Sequence, residues 1–413
     1  MSAVPAARRE DPPAAPRAAP IRLLHVVHHP VQYFAPLYRE LAGRAQVDLT
    51  VVFASDMGAR DYADPGFGQQ VRWDVPVTVG YRYRFLPGSR AMRGLAAAGA
   101  VVAGRWDAVW IHGYSSPGAW LVVAACLLRR VPAFIREEAT LLDPRPRGRR
   151  LVKALALPVL FRLVRGLCIG RENRRFFERY GLEGNRLFLA RYSVDNAFFR
   201  REAAALAPER AALRRSFGLR PDLPVVLFSG KLVPKKDPLL LVRAFADVRL
   251  RCACSLLLAG DGPLRPAIEE LVRREAIPDV RIAGFLNQSA LPRAYAAADV
   301  AVLPSAERET WGLAVNEAMN FGLPVVVSDR VGCAANLVFD GDNGLVFPSG
   351  SVPGLAAALE TLVTDPTRCR RLGERSREIV AAYDVCDTAD DIVAAVLQVA
   401  RVRRGRAGRR RPT

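Results

Sequence analysis

The chain has 413 residues, of which 51% are hydrophobic and 24% charged, so it can form two or three domains that need no metal or disulfide to hold them together. Seven cysteines without a CxxC pair argue against a structural zinc site and favour reduced thiols in the cytoplasm. The net charge of +19 indicates an anionic partner, which could be a nucleic acid, a membrane surface or a phosphorylated ligand.

Arginine far outnumbers lysine among the basic residues, and the positive charge is unevenly distributed along the chain. Only four of the 60 are lysines, and three of these, Lys231, Lys235 and Lys236, lie within six residues. The positive excess falls in the first half of the chain and in the last thirteen residues, of which seven are arginines. A solvated tail is the ordinary explanation for such an end.

Apolar segments alternate with helical ones along both halves of the chain. Strands are predicted in the first half at 21–27, 47–53, 107–111 and 132–136, and in the second half at 225–229, 255–259, 280–283, 300–303 and 325–328. Helices between them predict parallel sheets and an α/β fold.

The pattern predicts five segments. They are a disordered tail (1–20), two Rossmann-like domains (21–203 and 204–384), a helix that packs back on the first domain (385–400) and a basic tail (401–413). Residues 1–20 lack the apolar core of a secretory signal, and no apolar run reaches the about 20 residues of a membrane span.

Ligands of such sheets bind beyond the carboxyl ends of the strands, where this chain has two glycine-rich turns. Gly230 ends one strand, and Lys235 and Lys236 follow five and six residues later, just before a helix, so ammonium groups here could neutralise a diphosphate. Gly260 and Gly262 end the next strand, where they could form an ordinary turn or let the backbone approach a ligand.

The segment ETWGLAVNE carries the sharpest signal. Glu309 and Glu317 are eight residues apart and could both face a cleft, as carboxylates that bind sugar hydroxyls. The backbone N–H groups between them would lie at the start of a helix, which favours an anion or a hydroxyl. These N–H groups belong to Thr310, Trp311, Gly312 and Leu313.

Each of three other features of the sequence allows two interpretations. His112 could contact a substrate or only end its strand. Asp340 and Asp342 resemble a metal motif, but the Asn-Gly that follows favours a turn, so no metal site is predicted. The basic and apolar segment 145–165 could lie on anionic lipid or be a surface helix whose apolar side is in the core.

The second half resembles the nucleotide-sugar-binding domain of retaining GT-B glycosyltransferases of family 4. The matching segments, in the family's order, are GKLVPKKD, LLLAGDGPL, VRIAGF, AYAAADVAVLPS, ERETWGLAVNEAMNFGLPVVVSD and DGDNGLVF. The first half is similar more loosely, in WIHGYSSPGAW and YSVDNAFF. The resemblance implies a GT-B fold, in which two Rossmann-like domains face a central cleft, with the acceptor on the first domain.

The resemblance also implies roles for these residues. Lys231 and Lys236 would bind the diphosphate, Glu309 the sugar hydroxyls and Glu317 the ribose, while His112 would lie near the transferred sugar. The chain departs from the family in having Lys231 where arginine is usual. The sequence HHPVQY (28–33) replaces a glycine-rich loop.

The expected function is metal-independent, retaining hexosyl transfer from a UDP- or GDP-sugar to a hydroxyl, in polysaccharide or glycolipid biosynthesis. A GT-B epimerase or phosphorylase is the alternative. No cofactor and no nucleic acid are expected. The acceptor would be a saccharide or a lipid-linked pyrophosphate, with the protein cytoplasmic and peripheral on the inner face of the membrane.

Overall fold

The structure is a computed structural model that describes residues 19–142 and 147–408. The disorder expected for residues 1–18, the position of Arg145 and the end of the basic tail lie outside the described residues.

The first domain is a parallel sheet with helices on both faces. Its strands are β1 (Ile21–Val27), β2 (Val47–Phe53), β3 (Tyr62–Asp64), β4 (Gln69–Val71), β5 (Arg82–Phe85), β6 (Ala108–His112), β7 (Ala133–Arg136), β8 (Arg165–Cys168) and β9 (Leu187–Leu189). Its helices are α1 (Phe34–Gly43), α2 (Arg90–Ala103), α3 (Pro117–Leu128), α4 (Arg147–Leu163) and α5 (Arg171–Arg179).

The seven-stranded sheet has the order β5-β2-β1-β6-β7-β8-β9, while β3 and β4 form a separate antiparallel hairpin. The strand order reverses between β1 and β6, which opens a crevice beyond their carboxyl ends. The apolar sides of α2, α3 and α4 pack on one face of the sheet and α1 on the other. Among the strands that sequence analysis missed, β5 and β8 are only four residues long, and their segments RYRF and RGLC carry arginines instead of a continuous apolar run.

Two helices, α6 (Asn196–Leu206) and α7 (Arg210–Ser216), lead to the second domain. Its strands are β10 (Val225–Ser229), β11 (Ser255–Ala259), β12 (Val280–Gly284), β13 (Val300–Leu303), β14 (Val325–Ser328) and β15 (Gly344–Phe347). Its helices are α8 (Pro238–Arg249), α9 (Arg265–Arg274), α10 (Leu291–Ala297), α11 (Leu313–Asn320), α12 (Ala334–Leu337), α13 (Val352–Val363) and α14 (Pro366–Val380).

The second sheet is parallel, with the order β12-β11-β10-β13-β14-β15, so its crevice lies between β10 and β13. The predicted α/β fold with two parallel sheets is confirmed. The predicted domain boundary at residue 203 falls inside α6, because the alanine-rich segment there is helical and continues past that position.

The last helix, α15 (Val385–Gly408), returns to the first domain. Its apolar side, which includes Ile392 and Val396, is buried in one cluster with residues of β1, β2 and α1. The helix was expected to end at residue 400, but it continues through eight residues of the expected basic tail. Among the described residues, no helix is both long enough and apolar enough to span a membrane.

Candidate active site in the cleft between the domains

The carboxyl ends of both sheets border one cavity of about 730 Å³. The predicted site residues that line it are His112, Gly230, Lys231, Lys236, Gly260, Glu309, Thr310, Trp311, Gly312, Leu313 and Glu317. The fold therefore brings eleven of the twelve predicted residues together. Gly262 is the exception, because it does not border this cavity.

The glycine turns let the strand-end loops approach one another. A Cβ on Gly260 would lie 1.8 Å from the carbonyl oxygen of Gly230, so only glycine fits there. A Cβ on Gly262 would lie 2.7 Å from the carbonyl oxygens of Gly66 and Leu232. Gly262 thus serves the contact between the two domains rather than the wall of the cavity.

Lys236 is held beside Glu309 within the site. It ends a short 3₁₀ turn, and Asp237, at φ 49°, caps the following helix by accepting from the Leu240 N–H at 3.3 Å. The Lys236 ammonium forms an ion pair with the Glu309 carboxylate, which also accepts from Ser305 Oγ at 3.0 Å. Burial acts to raise the pKa of Glu309, but the ammonium groups of Lys236 and Lys235 and the hydrogen bond from Ser305 together outweigh it, so the pKa is lowered and the carboxylate stays ionised.

Lys231, the other predicted phosphate ligand, is paired across the cleft. Its Nζ lies 2.8 Å from both carboxylate oxygens of Asp64, which belongs to β3 of the first domain. Burial acts to raise the pKa of Asp64, but the hydrogen bonds and charge of Lys231 prevail and lower it.

The loop that carries Glu309 ends at Gly312, the N-cap of α11. Gly312 has φ 100°, and a Cβ there would meet Leu303 at 2.7 Å. The Trp311 indole is buried, and its Nε1 donates to Asn316 Oδ1 at 2.9 Å. The Trp311 side chain is therefore committed to packing, and its backbone is what this residue can offer a ligand.

Glu317 points one oxygen into the protein and leaves the other without a partner. Its Oε2 accepts from Tyr295 Oη at 2.7 Å, while its buried Oε1 has no hydrogen-bond partner among the described residues. Burial raises the pKa of Glu317 to about 7. The unpartnered oxygen is available to a ligand hydroxyl.

His112 ends β6 on the opposite wall. Its Nε2 is 3.7 Å from Glu138 Oε1, and its buried Nδ1 has no partner among the described residues. Burial, with help from the neighbouring Arg136 and His29, lowers the pKa of His112 to about 3, so the imidazole is neutral.

Sequence analysis missed Asp64 and Glu138, and it noted His29 only as part of the segment HHPVQY (28–33). All three line the cavity. Burial raises the pKa of Glu138, which also accepts a hydrogen bond from Tyr192. Glu138 follows the carboxyl end of β7, and this position beyond a strand end is the feature of the sequence that could have identified it. Asp64 precedes a Pro-Gly turn and offered none.

Asp340 and Asp342 lie away from this cavity in a turn. Asp340 accepts from the Val346 N–H at 2.9 Å, and Asp342 pairs with Arg375 at 3.0 Å. The Asn-Gly signal for a turn agrees with these contacts.

The family model for glycosyl transferases group 1 matches residues 209–379. An alpha-D-kanosaminyltransferase from Streptomyces kanamyceticus is 33% identical over 189 residues, which are 45% of this chain and 48% of that protein. A D-inositol 3-phosphate glycosyltransferase from Kineococcus radiotolerans is 32% identical over 265 residues, which are 60% of this chain and 59% of that protein. The chain thus spans about half to three fifths of the length of these relatives.

Solved structures extend the likeness to both domains at the level of fold. The Anabaena protein HepE, crystallised with UDP and glucose, has a TM-score of 0.70 at 19% identity, over 92% of this chain and all of that chain. A glycosyltransferase from Rickettsia africae has a TM-score of 0.72 at 14% identity, over 93% of this chain and 98% of that chain. Residues 209–379 of this chain are thus similar to the glycosyl transferases group 1 family, and the two domains together have the GT-B fold of solved glycosyltransferases.

Proposed function

We propose that the protein is a retaining hexosyltransferase that moves a sugar from a UDP- or GDP-sugar to a hydroxyl acceptor, without a metal. The observation that carries the proposal is the convergence of Lys231, Lys236 and the first N–H groups of α11 on the cavity that also holds Glu309 and Glu317. Cationic groups and a helix N-terminus on one wall suit a diphosphate, while the carboxylates suit sugar hydroxyls.

In the proposed reaction the bond between the anomeric carbon and the phosphate oxygen breaks, and the acceptor oxygen bonds to that carbon on the same face. The acceptor proton passes to an oxygen of the leaving diphosphate. Lys231, Lys236 and the N–H groups would stabilise the charge that the leaving group gains. Glu309 would hold the sugar and Glu317 the ribose.

The first domain would orient the acceptor and the sugar. His112 is neutral, so it can donate or accept a hydrogen bond to a hydroxyl without adding a charge that opposes an oxocarbenium-like state. Glu138 and His29 lie on the same wall and would contact the acceptor side.

The donor is tested first, by thermal shift against UDP, GDP and their sugars. Sugar transfer is then measured for Lys236→Ala and Glu309→Ala, each of which should lose about 10²-fold in turnover, the scale of one lost stabilising group. Arg251→Ala and Glu360→Ala are matched controls, since these residues pair at 2.8 Å on the surface of the same domain. Turnover near wild type in either cleft variant would contradict the assignment.

An epimerase or a phosphorylase would act on different substrates. An epimerase would convert the nucleotide sugar without any acceptor, and a phosphorylase would need inorganic phosphate in place of a nucleotide. No observation on the site favours either activity. Incubation of the donor alone, and of a saccharide with phosphate, should yield no conversion.

We also propose that the acceptor is lipid-linked and that the protein lies on the inner face of the membrane, in a glycolipid or polysaccharide pathway. Helix α4 supports this placement, because its outer side exposes Leu151, Val152, Leu155 and Val159 by 54 to 68%. The segment therefore differs from an ordinary surface helix, which would bury most of its apolar residues. Only three of its residues, Leu157, Leu160 and Phe161, are buried.

The neighbouring helices on this face of the sheet also expose apolar side chains and lack acidic ones. Neither α2, α3 nor α4 contains an acidic residue, although arginines accompany all three. Leu95 of α2 and Leu128 of α3 are also exposed, by 63% and 75%. Exposed apolar side chains with basic neighbours and no acids match the headgroup region of an anionic bilayer.

Vesicle flotation tests the placement. The protein should bind vesicles that contain phosphatidylglycerol, bind pure phosphatidylcholine weakly, and lose binding in Leu155→Glu. Leu250→Glu is the matched control, since Leu250 is 86% exposed on the second domain. Equal vesicle binding by both variants would reject α4 as the contact surface. A concentration-dependent dimer without vesicle binding would reject the membrane placement and assign this surface to a second copy of the chain.

A further inference from the structure

The β3–β4 hairpin of the first domain lies against the donor side of the cleft. Phe67 contacts Phe285 of the second domain, with ring centroids 4.6 Å apart. Beyond the hairpin, the carbonyl of Arg72 accepts from Asn287 Nδ2 at 2.6 Å. The hairpin thus bridges the two domains next to the loops that hold Gly230 and Gly260.

The strongest contact of the hairpin is made by Asp64 with Lys231. Both carboxylate oxygens lie 2.8 Å from Nζ, and the Asp64 side chain is only 9% exposed. The N–H groups of Gly66 and Phe67 also donate to Asp64 Oδ1, at 2.8 and 3.3 Å. The carboxylate is therefore fixed by its own backbone, while Lys231 extends across the cleft to reach it.

This pairing conflicts with the expected task of Lys231. An ammonium group has three N–H donors, and the two Asp64 oxygens engage it on one side. A diphosphate bound by Lys231 would bring its own negative charge close to that buried carboxylate, and like charges at short range repel. The diphosphate and Asp64 therefore compete for the same cation.

We propose that Asp64 occupies the place of the donor phosphate on Lys231, and that donor binding exchanges one anion for the other. In this exchange the Lys231–Asp64 bond breaks and the Lys231–phosphate bond forms, so the hairpin loses its ion pair with the second domain as the donor enters. The inference rests on the proposed function, since it takes a nucleoside diphosphate as the ligand of Lys231.

The affinity for UDP and GDP, measured by calorimetry, tests the exchange. Asp64→Asn removes the competing charge but keeps the acceptor for the Gly66 and Phe67 N–H groups, and it should bind the nucleotide about tenfold more tightly than wild type, the scale of one charge-assisted hydrogen bond. In a Lys231→Ala background the same change should have no effect.

Asp74→Asn is the matched control. Asp74 also joins the domains, since it accepts from the Ser289 N–H at 3.3 Å, but it pairs with no lysine of the site. It should leave the affinity unchanged. If Asp74→Asn tightens binding as much as Asp64→Asn, loosening of the domains is the cause and the exchange is wrong.

Weaker or unchanged binding by Asp64→Asn would also overturn the exchange, and weaker binding would make Asp64 a group that positions Lys231. If the Asn variant does not fold, Asp64→Ser provides the same comparison with a hydroxyl as the acceptor. If wild type binds neither UDP nor GDP, the proposed function fails instead, so the two failures are distinguishable.

Discussion

Replacement of Glu317 by glutamine should change how the stability of the protein depends on pH. The Glu317 side chain is 1% exposed, and burial raises its pKa from 4.5 to about 7. The folded protein therefore holds the proton of Glu317 over a pH range in which the unfolded chain has released it. Stability from this group is fully present below pH 4.5 and is lost as the pH rises to about 7.

The size of the effect follows from that interval. Each pH unit between the two pKa values contributes about 1.4 kcal/mol, so the upper limit of the loss is about 3 kcal/mol. Glutamine does not titrate, and its oxygen can still accept from Tyr295 Oη. Relative to Glu317→Gln, the wild-type protein should therefore lose up to about 3 kcal/mol of unfolding free energy between pH 4.5 and pH 8.

The assay is urea unfolding of both proteins at several pH values, followed by circular dichroism and by fluorescence. The difference between the two proteins removes the titration of all other groups. A difference that stays constant across the range would show that the pKa of Glu317 does not change on folding. If the wild-type protein instead gained unfolding free energy relative to Glu317→Gln as the pH rises, the sign of the reasoning would be wrong.

Two substitutions in the second domain test how its loops and its core are held. Gly260→Ala should abolish nucleotide binding and lower the melting temperature, because its methyl group would collide with the carbonyl of Gly230 at 1.8 Å; unchanged UDP binding would contradict the tight turn. Asp299→Ala should cost about 3 to 5 kcal/mol in urea unfolding, because it leaves the buried guanidinium of Arg214 without the carboxylate that lies 2.6 Å away; a loss below about 1 kcal/mol would mean that solvent reaches this pair.

The sequence predicted much of the fold because parallel strands buried on both faces are continuous apolar runs. VVLFS and SLLLA are such runs, and both are strands with every residue buried. RYRF of β5 is an exposed edge strand, and it shows no such run. Its pairing with β2 is a tertiary contact, so no local pattern predicts it.

The second-domain side of the candidate site could also be predicted, because its residues follow one another along the chain. Lys236 and Glu309 each lie just beyond a strand, and parallel strands place those ends side by side. The spacing of Glu309 and Glu317 in one loop and helix fixed their relation locally. The sequence did not predict where the Trp311 side chain points. Packing in the folded domain turns its indole inward, where Nε1 donates to Asn316.

Only the tertiary structure decided which groups of the first domain meet this site. Asp64 and Lys231 are 167 residues apart, and no sequence pattern pairs a carboxylate in one domain with an ammonium group in the other. The sequence likewise did not decide whether the apolar residues of α4 face the core or the solvent, because the same residues would fit either side. The raised pKa of Glu317 depends on burial, which the fold of the whole domain sets. Local sequence patterns thus determined the buried strands and the loops of the second domain that border the cavity. The packing of the two domains decided which side chains these loops contact and which of them hold a proton.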